Sequence, residues 1–293
     1  MTVGVLVMAY GTPRDRDDIE AYYTDIRRGR PPTPELLADL QRRYQALGGT
    51  FPLREITDRQ IAAIAAALGD GYEVALGTKH SVPRIEDGAA ALADRGVDRI
   101  VGLVLAPHFS RFSIGEYAER AAKAGAERGL PVETIASWHL QPTYLGFLQG
   151  AVTDALAHVP PDSEVVFTAH SLPQRILASG DPYPDQLAET AAAVAKSLQL
   201  KNFSVGWQSA GRTPEPWLGP DVLEIVRDRA AAGSAGLVVC ACGFVADHLE
   251  VAYDLDIEAA AVARELGLPF ARTASVNDDV TVMAALAALV AER

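Results

Sequence analysis

The sequence predicts an α/β protein whose strands form parallel sheets. Short runs of Val, Leu and Ile alternate with longer amphipathic stretches along its 293 residues. Apolar residues are continuous within the short runs instead of alternating with polar ones, which is typical of parallel strands buried on both faces. A strand–helix succession that repeats in this way is characteristic of α/β units.

Each element follows from its own apolar pattern. The predicted strands are, in chain order, 3–10, 73–78, 99–107, 132–137, 164–170, 203–209 and 236–244. The amphipathic stretches predict helices at 54–69, 84–95, 114–128, 143–158, 184–198, 220–232, 246–265 and 278–291. The last helix contains the longest apolar run, VTVMAALAALVA. This run is too short to cross a bilayer and is typical of a helix packed on a core, so we expect no membrane insertion.

Two segments indicate that the halves of the chain are related. Residues 79–109 and 214–244 each contain, in the same order, a proline turn, a helix, a break with Gly, a Val/Leu strand and a terminal Phe. Similar units in both halves predict two α/β domains that face each other across a cleft. The periodicity is interrupted near 138–146, so we expect domains 1–142 and 143–293, with the terminal helix able to pack back on the first domain.

Composition disfavours several classes of protein. The formal net charge of -12 argues against broad attraction to nucleic acid or anionic lipid. The first residues, MTVGVLVMAYG, have no basic region before their apolar run, so we expect no signal peptide and a cytoplasmic protein. Cys240 and Cys242 could supply two metal ligands, but a zinc or iron–sulfur site needs about four. We interpret them as small side chains in a tightly packed sheet.

Ligands of open parallel sheets bind at the carboxyl ends of the strands, and two of the predicted strands end in polar residues. His170 ends the strand in FTAHSLP, where an imidazole can ligate Fe²⁺ or accept a proton near neutral pH. After the strand at 236–244, carboxylates three and four residues apart are expected to line one face of a helix. They are Asp247, Glu250, Asp254 and Glu258. The alternatives are a structural histidine and a solvated acidic face.

The first half offers two further features. Its arginine-rich segment contains Arg27, Arg28, Arg30, Arg42 and Arg43. Guanidinium groups bind carboxylates through paired hydrogen bonds, so the segment indicates either a polyanionic small ligand or a basic surface loop. Tyr10 follows the first strand, and it is either packed under a turn or faces the cleft, where its phenol could contact an aromatic ligand or a metal.

Eight stretches, taken together, match one known family in their order and spacing. They are VMAYGTP, YYTDIRRGRPPTPELL, RRYQALGG, VLAPHFSRFS, TAHSLP, GDPYPDQL, VGWQSAGRTPEPWLGPD and GFVADHLEVAYD. Over nearly the whole chain, the sequence closely resembles the ferrochelatases, and specifically the coproporphyrin ferrochelatases of monoderm bacteria. The resemblance implies two Rossmann-like domains with a porphyrin cleft between them. It also implies that the protein inserts ferrous iron into a porphyrin and releases two protons.

The resemblance assigns roles to individual residues. It implies that His170 and Glu250 are the catalytic, metal-binding pair on one face of the porphyrin, and that Tyr10 contacts the porphyrin from the opposite face. The residues implied to hold the macrocycle and its propionates are Arg27, Arg43, Tyr44 and Tyr117. The acidic residues expected to relay the metal are Asp247, Asp254 and Glu258.

One turn departs from the family pattern. The family carries a serine in a GG-x-S-P turn, whereas this chain reads GGTFP over residues 48–52, so that Phe51 replaces the serine and Thr50 precedes it. The serine's contact with a propionate is therefore not expected in its usual form.

Charge favours coproporphyrin III as the substrate. Coproporphyrin carries four propionates and protoporphyrin two, and the arginine-rich segment suits the tetra-anion. The alternatives are a protoporphyrin IX ferrochelatase, a cobalt chelatase and a non-catalytic porphyrin- or heme-binding protein. Fe²⁺ is then a substrate, and we expect no resident cofactor and no iron–sulfur cluster. We also expect a monomer that hands its product transiently to a downstream enzyme of the heme pathway.

Overall fold

The computed structural model describes residues 2–49 and 52–293, and its strands form two parallel sheets. The first sheet has the order β2-β1-β3-β4, with β1 at Val3–Ala9, β2 at Tyr72–Thr78, β3 at Arg99–Val104 and β4 at Val132–Ile135. The second has the order β6-β5-β7-β8, with β5 at Glu164–His170, β6 at Phe203–Gln208, β7 at Leu237–Cys240 and β8 at Phe270–Arg272. The predicted α/β class with parallel sheets is confirmed.

Helices connect the strands and cover both sheets. Those of the first half are α1 (Ile19–Ile26), α2 (Pro34–Ala46), α3 (Pro52–Leu68), α4 (Ile85–Asp94) and α5 (Ile114–Ala126). Those that follow are α6 (Pro142–Leu156), α7 (Arg175–Ala178), α8 (Tyr183–Leu198) and α9 (Val222–Ala231). A further helix begins as α10 (Leu249–Val251), continues as a π-helical segment (Ala252–Ala259) and ends as α11 (Ala260–Glu265). The last helix is α12 (Val280–Ala291). Each helix in the described part of the chain is too short or too polar to span a membrane.

Strand β1 shows why the apolar runs are continuous. Val5 and Val7 pack into an apolar cluster shared by the two sheets, whereas Leu6 and Met8 pack on the other face, in the cluster formed with α4 and α5. Because both faces of the strand are buried, every position favours an apolar side chain.

The two halves repeat one strand order. In each sheet the first strand of the half, β1 or β5, lies second in the order, beside the second strand of that half. Equivalent turns also recur: the N–H of Thr78 donates to Pro83 O at 2.7 Å, and the N–H of Trp207 donates to Pro220 O at 3.0 Å. Tyr10 follows β1 and His170 ends β5, so these residues leave equivalent strands of the two sheets.

The core lies between the sheets. Side chains of α3, α6 and α12 join strands of both sheets in the shared apolar cluster. The terminal helix packs on α3, and at its start Arg59 Nε pairs with Asp278 at 2.8 Å while Gln60 Nε2 donates to Asn277 O at 2.8 Å. The division into domains 1–142 and 143–293 stays a prediction, since this cluster is continuous across it.

Helices α1 and α2 and strand β8 are elements that the apolar pattern did not predict. Helix α1 buries Ile19 and α2 buries Tyr44, while their other residues remain partly or fully exposed. A helix that buries so little has no apolar stripe to recognise. Strand β8 spans Phe270–Arg272, and a strand this short has no visible period.

Candidate active site

The carboxyl ends of β5 and β7 bring an imidazole and a carboxylate together. His170 is the last residue of β5, and Glu250 lies in α10, after the loop that follows β7. The distance between His170 Nε2 and Glu250 Oε1 is 3.7 Å, and both side chains are about one-third exposed, at 34% and 37%. His170 Nδ1 lies 2.5 Å from the carbonyl oxygen of Ser171. Nδ1 therefore carries a proton and donates it there, while Nε2 faces Glu250 and the cleft.

A second imidazole contacts the same carboxylate. His248 Nε2 lies 3.6 Å from Glu250 Oε2, and the ring of Phe244 packs 5.1 Å from the His248 ring, between centroids. His248 Nδ1 is buried and has no hydrogen-bond partner among the described residues. The sequence interpretation missed His248. The sequence feature that could have identified His248 is its position two residues before Glu250, in the same connection between strand and helix.

His170 and Glu250 shift each other's pKa. Burial acts to lower the pKa of His170, but the charge of Glu250 and the hydrogen bonds of the ring to Glu250 and Ser171, together with the charge of Asp254, raise this pKa above its ordinary value. For Glu250, burial acts to raise the pKa, whereas the positive charges of His170 and then His248 hold it well below its usual range. The carboxylate of Glu250 therefore stays charged, and the imidazole of His170 is the group that can take up a proton.

The acidic residues after Glu250 lie on a π-helical segment. Its i→i+5 hydrogen bonds make each turn wider than in an α-helix, and such segments are frequent at functional sites. Asp254 accepts a hydrogen bond from Ser209 Oγ at 2.5 Å and pairs with Arg43 at 3.4 Å. Burial, and after it the charges of Glu250 and Glu258, raise the pKa of Asp254 to about 6. Glu250, Asp254 and Glu258 are thus electrostatically coupled.

The predicted four-residue stripe is corrected at its first member. The helix begins at Leu249, with His248 at its N-cap, so Asp247 precedes the helix and does not share its face. The carboxylate of Asp247 instead accepts hydrogen bonds from Ser275 Oγ at 2.9 Å and Asn277 Nδ2 at 2.8 Å, and it pairs with Arg272 at 3.2 Å. These contacts join the end of β8 and the loop that follows it to the start of the helix.

Tyr10 stands on the first sheet's side of the cleft. It is 43% exposed, and its ring packs edge-on against His80 with centroids 4.7 Å apart. The surrounding protein and then the negative charge of Glu250 raise the pKa of Tyr10. After burial, the same charge also raises the pKa of Tyr44. Tyr10 and Tyr44 therefore lie within range of the charge of Glu250.

A cavity of about 480 Å³ opens beside Tyr10. Its cationic lining residues are Arg28, Lys79, Arg84 and Arg120. Three of these have carboxylate partners: Arg84 makes a double contact with Asp25, Lys79 pairs with Glu116, and Arg120 pairs with Glu86. Tyr117 is 5% exposed and lies beneath Lys79, whose Nζ is 5.5 Å from the ring centroid. Carboxylates therefore neutralise most of the positive charge of this wall.

The other predicted porphyrin-binding residues lie on α1 and α2. Arg43 pairs with Asp39 and with Asp254, both at 3.4 Å, and its guanidinium lies 4.6 Å from the Tyr253 ring centroid. The adjacent Tyr44 is buried, at 6% exposure. Arg27 lies apart from them at the end of α1, where it stacks on Tyr23 at 5.8 Å.

The structure thus joins some of the predicted residues and leaves others separate. Arg43 connects the arginine-rich segment to the acidic row formed by Glu250, Asp254 and Glu258. The sequence did not predict this contact. The altered turn at Thr50 and Phe51 lies outside the described residues. Within residues 2–49 and 52–293, no three His, Cys, Asp or Glu side chains are close enough together to hold a metal ion.

Comparison with known proteins gives consistent matches. A family model described as Ferrochelatase matches residues 2–293. The protein named coproporphyrin III ferrochelatase of Halalkalibacterium halodurans is 46% identical over 284 residues, covering 94% of this chain and 92% of its own length. The protein of the same name from Bacillus subtilis is 42% identical over 303 residues, covering 99% and 97%.

Solved structures show the same fold at low sequence identity. SirB from Bacillus subtilis with Fe³⁺ superposes with a TM-score of 0.64 at 12% identity, covering 100% of this chain and 95% of that one. CbiX, described as the terminal enzyme for biosynthesis of siroheme in denitrifying bacteria, gives a TM-score of 0.54 at 17% identity, covering 98% and 99%. At these identities the likeness concerns the fold.

Proposed function

The chain belongs to the ferrochelatase family, and from this premise we propose that it is a coproporphyrin III ferrochelatase. The enzyme inserts Fe²⁺ into coproporphyrin III, forms Fe–coproporphyrin III (coproheme) and releases two protons, as a metal-chelating lyase of heme biosynthesis. The curated relatives with this name cover nearly the whole chain at above 40% identity. The observation that carries the proposal is the carboxylate of Glu250 between two imidazoles, at the carboxyl ends of the strands of the second sheet.

The imidazoles supply the base. Two pyrrole N–H groups must each lose a proton while the metal forms bonds to the four ring nitrogens. His170 is one-third exposed and its protonated form is stabilised by Glu250, so it can take a pyrrole proton and pass it on to water. Glu250 does not store the proton itself, because its pKa is held too low. It holds the imidazolium and can contact the incoming Fe²⁺ beside His170.

The acidic row supplies a route for the metal. Fe²⁺ arrives hydrated, and carboxylate oxygens can replace its water ligands one at a time. Asp254 and Glu258 follow Glu250 along the π-helical segment and are our proposed relay residues, with Asp247, which precedes the helix, as a further candidate.

The first sheet's side of the cleft binds the macrocycle. Arg27, Arg43, Tyr44 and Tyr117 are the proposed contacts for the ring and its propionates, and Tyr10 lies against the face opposite His170. The curated relatives named coproporphyrin III ferrochelatase support a substrate with four propionates over one with two.

The proposal also includes the location, oligomeric state, cofactor content and partner of the protein. The protein acts as a cytoplasmic monomer without a resident cofactor, and it passes coproheme transiently to a downstream enzyme of the heme pathway. An iron–sulfur cluster requires about four cysteine ligands, whereas this chain has two cysteines, both buried.

An insertion assay tests the substrate. The purified protein is incubated anaerobically with Fe²⁺ and either coproporphyrin III or protoporphyrin IX, and the loss of free-porphyrin absorbance is followed. We expect a higher kcat/KM for coproporphyrin III. A higher value for protoporphyrin IX would assign the enzyme to the other branch. Binding of coproheme without any insertion would indicate a carrier.

A histidine substitution tests the chemistry. Replacing His170 with Ala removes the proposed base and should lower kcat by about 10²-fold or more, with coproporphyrin affinity nearly unchanged. The matched control is His158→Ala, an exposed histidine at the end of α6. Insertion rates from single-turnover absorbance and affinities from fluorescence titration decide the outcome. A near-normal rate in His170→Ala would remove His170 from the mechanism.

A further inference from the structure

A buried carboxylate joins the two sides of the cleft. Asp181 lies in the loop between α7 and α8 and is 5% exposed. Its Oδ2 accepts hydrogen bonds from Ser110 Oγ at 3.0 Å and from the backbone N–H of Arg111 at 2.9 Å. Its Oδ1 accepts from the backbone N–H of Tyr183 at 3.1 Å. Ser110 and Arg111 follow the first sheet, whereas Tyr183 begins a helix of the second.

On the first side, Asp181 holds the turn that starts α5. Ser110 is fully buried, and its Oγ also accepts from the N–H of Phe112 at 3.1 Å. The carbonyl oxygen of Ser110 accepts from the N–H of Gly115 at 2.9 Å. The next turn of α5 carries Tyr117, a proposed porphyrin contact. The position of this wall therefore depends on the Ser110 turn.

On the second side, the same carboxylate is linked through Tyr183 to the backbone of the proposed base. Tyr183, whose N–H donates to Asp181, donates its own Oη to the carbonyl oxygen of His170 at 3.0 Å. A chain of hydrogen bonds therefore runs from the Ser110 turn through Asp181 and Tyr183 to His170. Hydrogen bonds to an ionised acceptor are stronger than neutral ones, so this chain resists displacement.

Neighbouring contacts extend the junction along α8. Gln186 Oε1 accepts from the N–H of Phe109 at 2.7 Å, and Thr190 Oγ1 lies 2.9 Å from His108 Nε2. Both partners belong to the loop that follows β3. Of these junction residues, Asp181 is the buried carboxylate, and it is the one that reaches both Ser110 and Tyr183.

We infer that Asp181 is a positioning residue that fixes the separation between the Tyr10–Tyr117 side of the cleft and the His170–Glu250 side. In its catalytic consequence the inference rests on the proposed function. Metal insertion requires the base and the incoming metal at a set height above the ring, and small misplacements of reacting groups cost rate rather than affinity. Asp181 touches none of the reacting atoms; it acts through Ser110 and Tyr183.

The test compares Asp181→Asn with the matched control Asp185→Asn, which changes an exposed carboxylate in the first turn of α8, the helix that follows Asp181. Asn keeps the size of the side chain but loses the charge and turns an N–H₂ group toward the backbone donors. We expect kcat for iron insertion to fall about 10- to 100-fold, as for other misplaced reacting groups. The Kd for coproporphyrin III should change less than twofold, and the control should change neither.

A second measurement does not depend on iron insertion. Spin labels are placed at Glu119→Cys on α5 and Ser197→Cys on α8, both exposed, while the native cysteines are buried and unreactive. We expect a narrow distance distribution in the parent and in Asp185→Asn, and a broader or shifted one in Asp181→Asn.

The outcomes separate the inference from the proposed function. A parent protein that inserts no iron would refute the proposed function, while the label distances would still test Asp181. Unchanged rate and unchanged distances in Asp181→Asn would overturn the inference. Should Asp181→Asn fail to fold, Ser110→Ala removes one donor without leaving a mismatched amide. It should then shift kcat and the distances in the same direction, and no shift there would likewise overturn the inference.

Discussion

The charge of Glu250 affects the protonation of the neighbouring imidazole of His170. Burial alone would favour the neutral forms of His170 and Glu250. Because they lie 3.7 Å apart, the pair favours the imidazolium and the carboxylate instead. An imidazole in this state must first lose its proton to act as a base. The reaction should therefore be limited at low pH by the raised pKa of His170.

Replacing Glu250 with Gln should move this limit. In the parent, kcat/KM should fall as the pH drops through a value above the ordinary histidine pKa. Without the carboxylate, burial remains and acts to lower the pKa of His170, so the acid limb of the kcat/KM profile should move to lower pH. The plateau value of kcat/KM should also fall. Profiles measured over roughly pH 5.5 to 9, the range in which histidines titrate, would show the shift.

The control for this prediction is Glu119→Gln, an exposed carboxylate on α5. Its acid limb should coincide with that of the parent. An unmoved limb in Glu250→Gln would show that His170 is not the group that titrates.

Sequence reasoning identified His170 and Glu250 because strand ends could be located and parallel sheets collect ligands there. It missed His248 and misplaced Asp247 for one shared reason. The spacing rule for a helical face holds only from the first helical residue onward, and the apolar pattern did not show whether the helix begins at 246 or at Leu249. Asp247 is a favourable N-cap type, yet its carboxylate is taken by Asn277, Ser275 and Arg272.

At the scale of the elements, the turn after α1 determines the backbone conformation of the arginine-rich segment. Arg28 has φ 56° and Gly29 has φ 80°, so two successive residues are left-handed. The N–H of Gly29 donates to Thr24 O at 2.9 Å and closes the helix. Gly adopts this conformation freely, whereas for a residue with a Cβ it is unfavourable in free energy. Such residues persist mainly where the side chain is needed. Arg28 lines the cavity beside Tyr10.

Arg28→Gly should therefore separate stability from binding. Removing the side chain from this left-handed backbone position should stabilise the fold by up to about 1 kcal/mol. The loss of the guanidinium should weaken the binding of coproporphyrin III and make it less sensitive to salt. Urea unfolding gives the first quantity, and fluorescence titration at two salt concentrations gives the second.

The matched control is Gln199→Gly at the end of α8, where φ is 53° and the residue lies outside the candidate site. It should show a similar gain in stability with unchanged porphyrin affinity. Equal affinities in both variants would exclude Arg28 from porphyrin binding.

The π-helical segment is the element that sequence patterns could not show. The apolar pattern over 246–265 fits one regular helix, and the change to i→i+5 hydrogen bonds alters the spacing of side chains without altering their type. Leu255 and Ala259 are buried within it, as an α-helical pattern also predicts. The acidic row was therefore predicted from composition and spacing, while the geometry of Asp254 beside Ser209 and Arg43 was not.

At the scale of the whole molecule, one core holds both sheets. Val101 of β3 and Phe167 of β5 belong to the same apolar cluster as Leu286 of α12, near the end of the chain. Two parallel sheets could be predicted from continuous apolar runs. Their packing against a shared layer could not, because a strand buried on both faces does not show which face meets which layer.

The shared core predicts that the two halves unfold together. Leu286 is fully buried, and Leu286→Ala should lower the free energy of unfolding by about 2–5 kcal/mol. Proteins of two domains often unfold in separate steps. Here amide exchange of peptides from β1 and from β5, followed by mass spectrometry, should speed up by the same factor, because both strands pack on the cluster that loses the side chain. Val280→Ala, at a 73% exposed position on the same helix, should change neither. Faster exchange in one sheet alone would mean that the halves are independently stable, and that the cleft between them is set by local contacts such as those of Asp181.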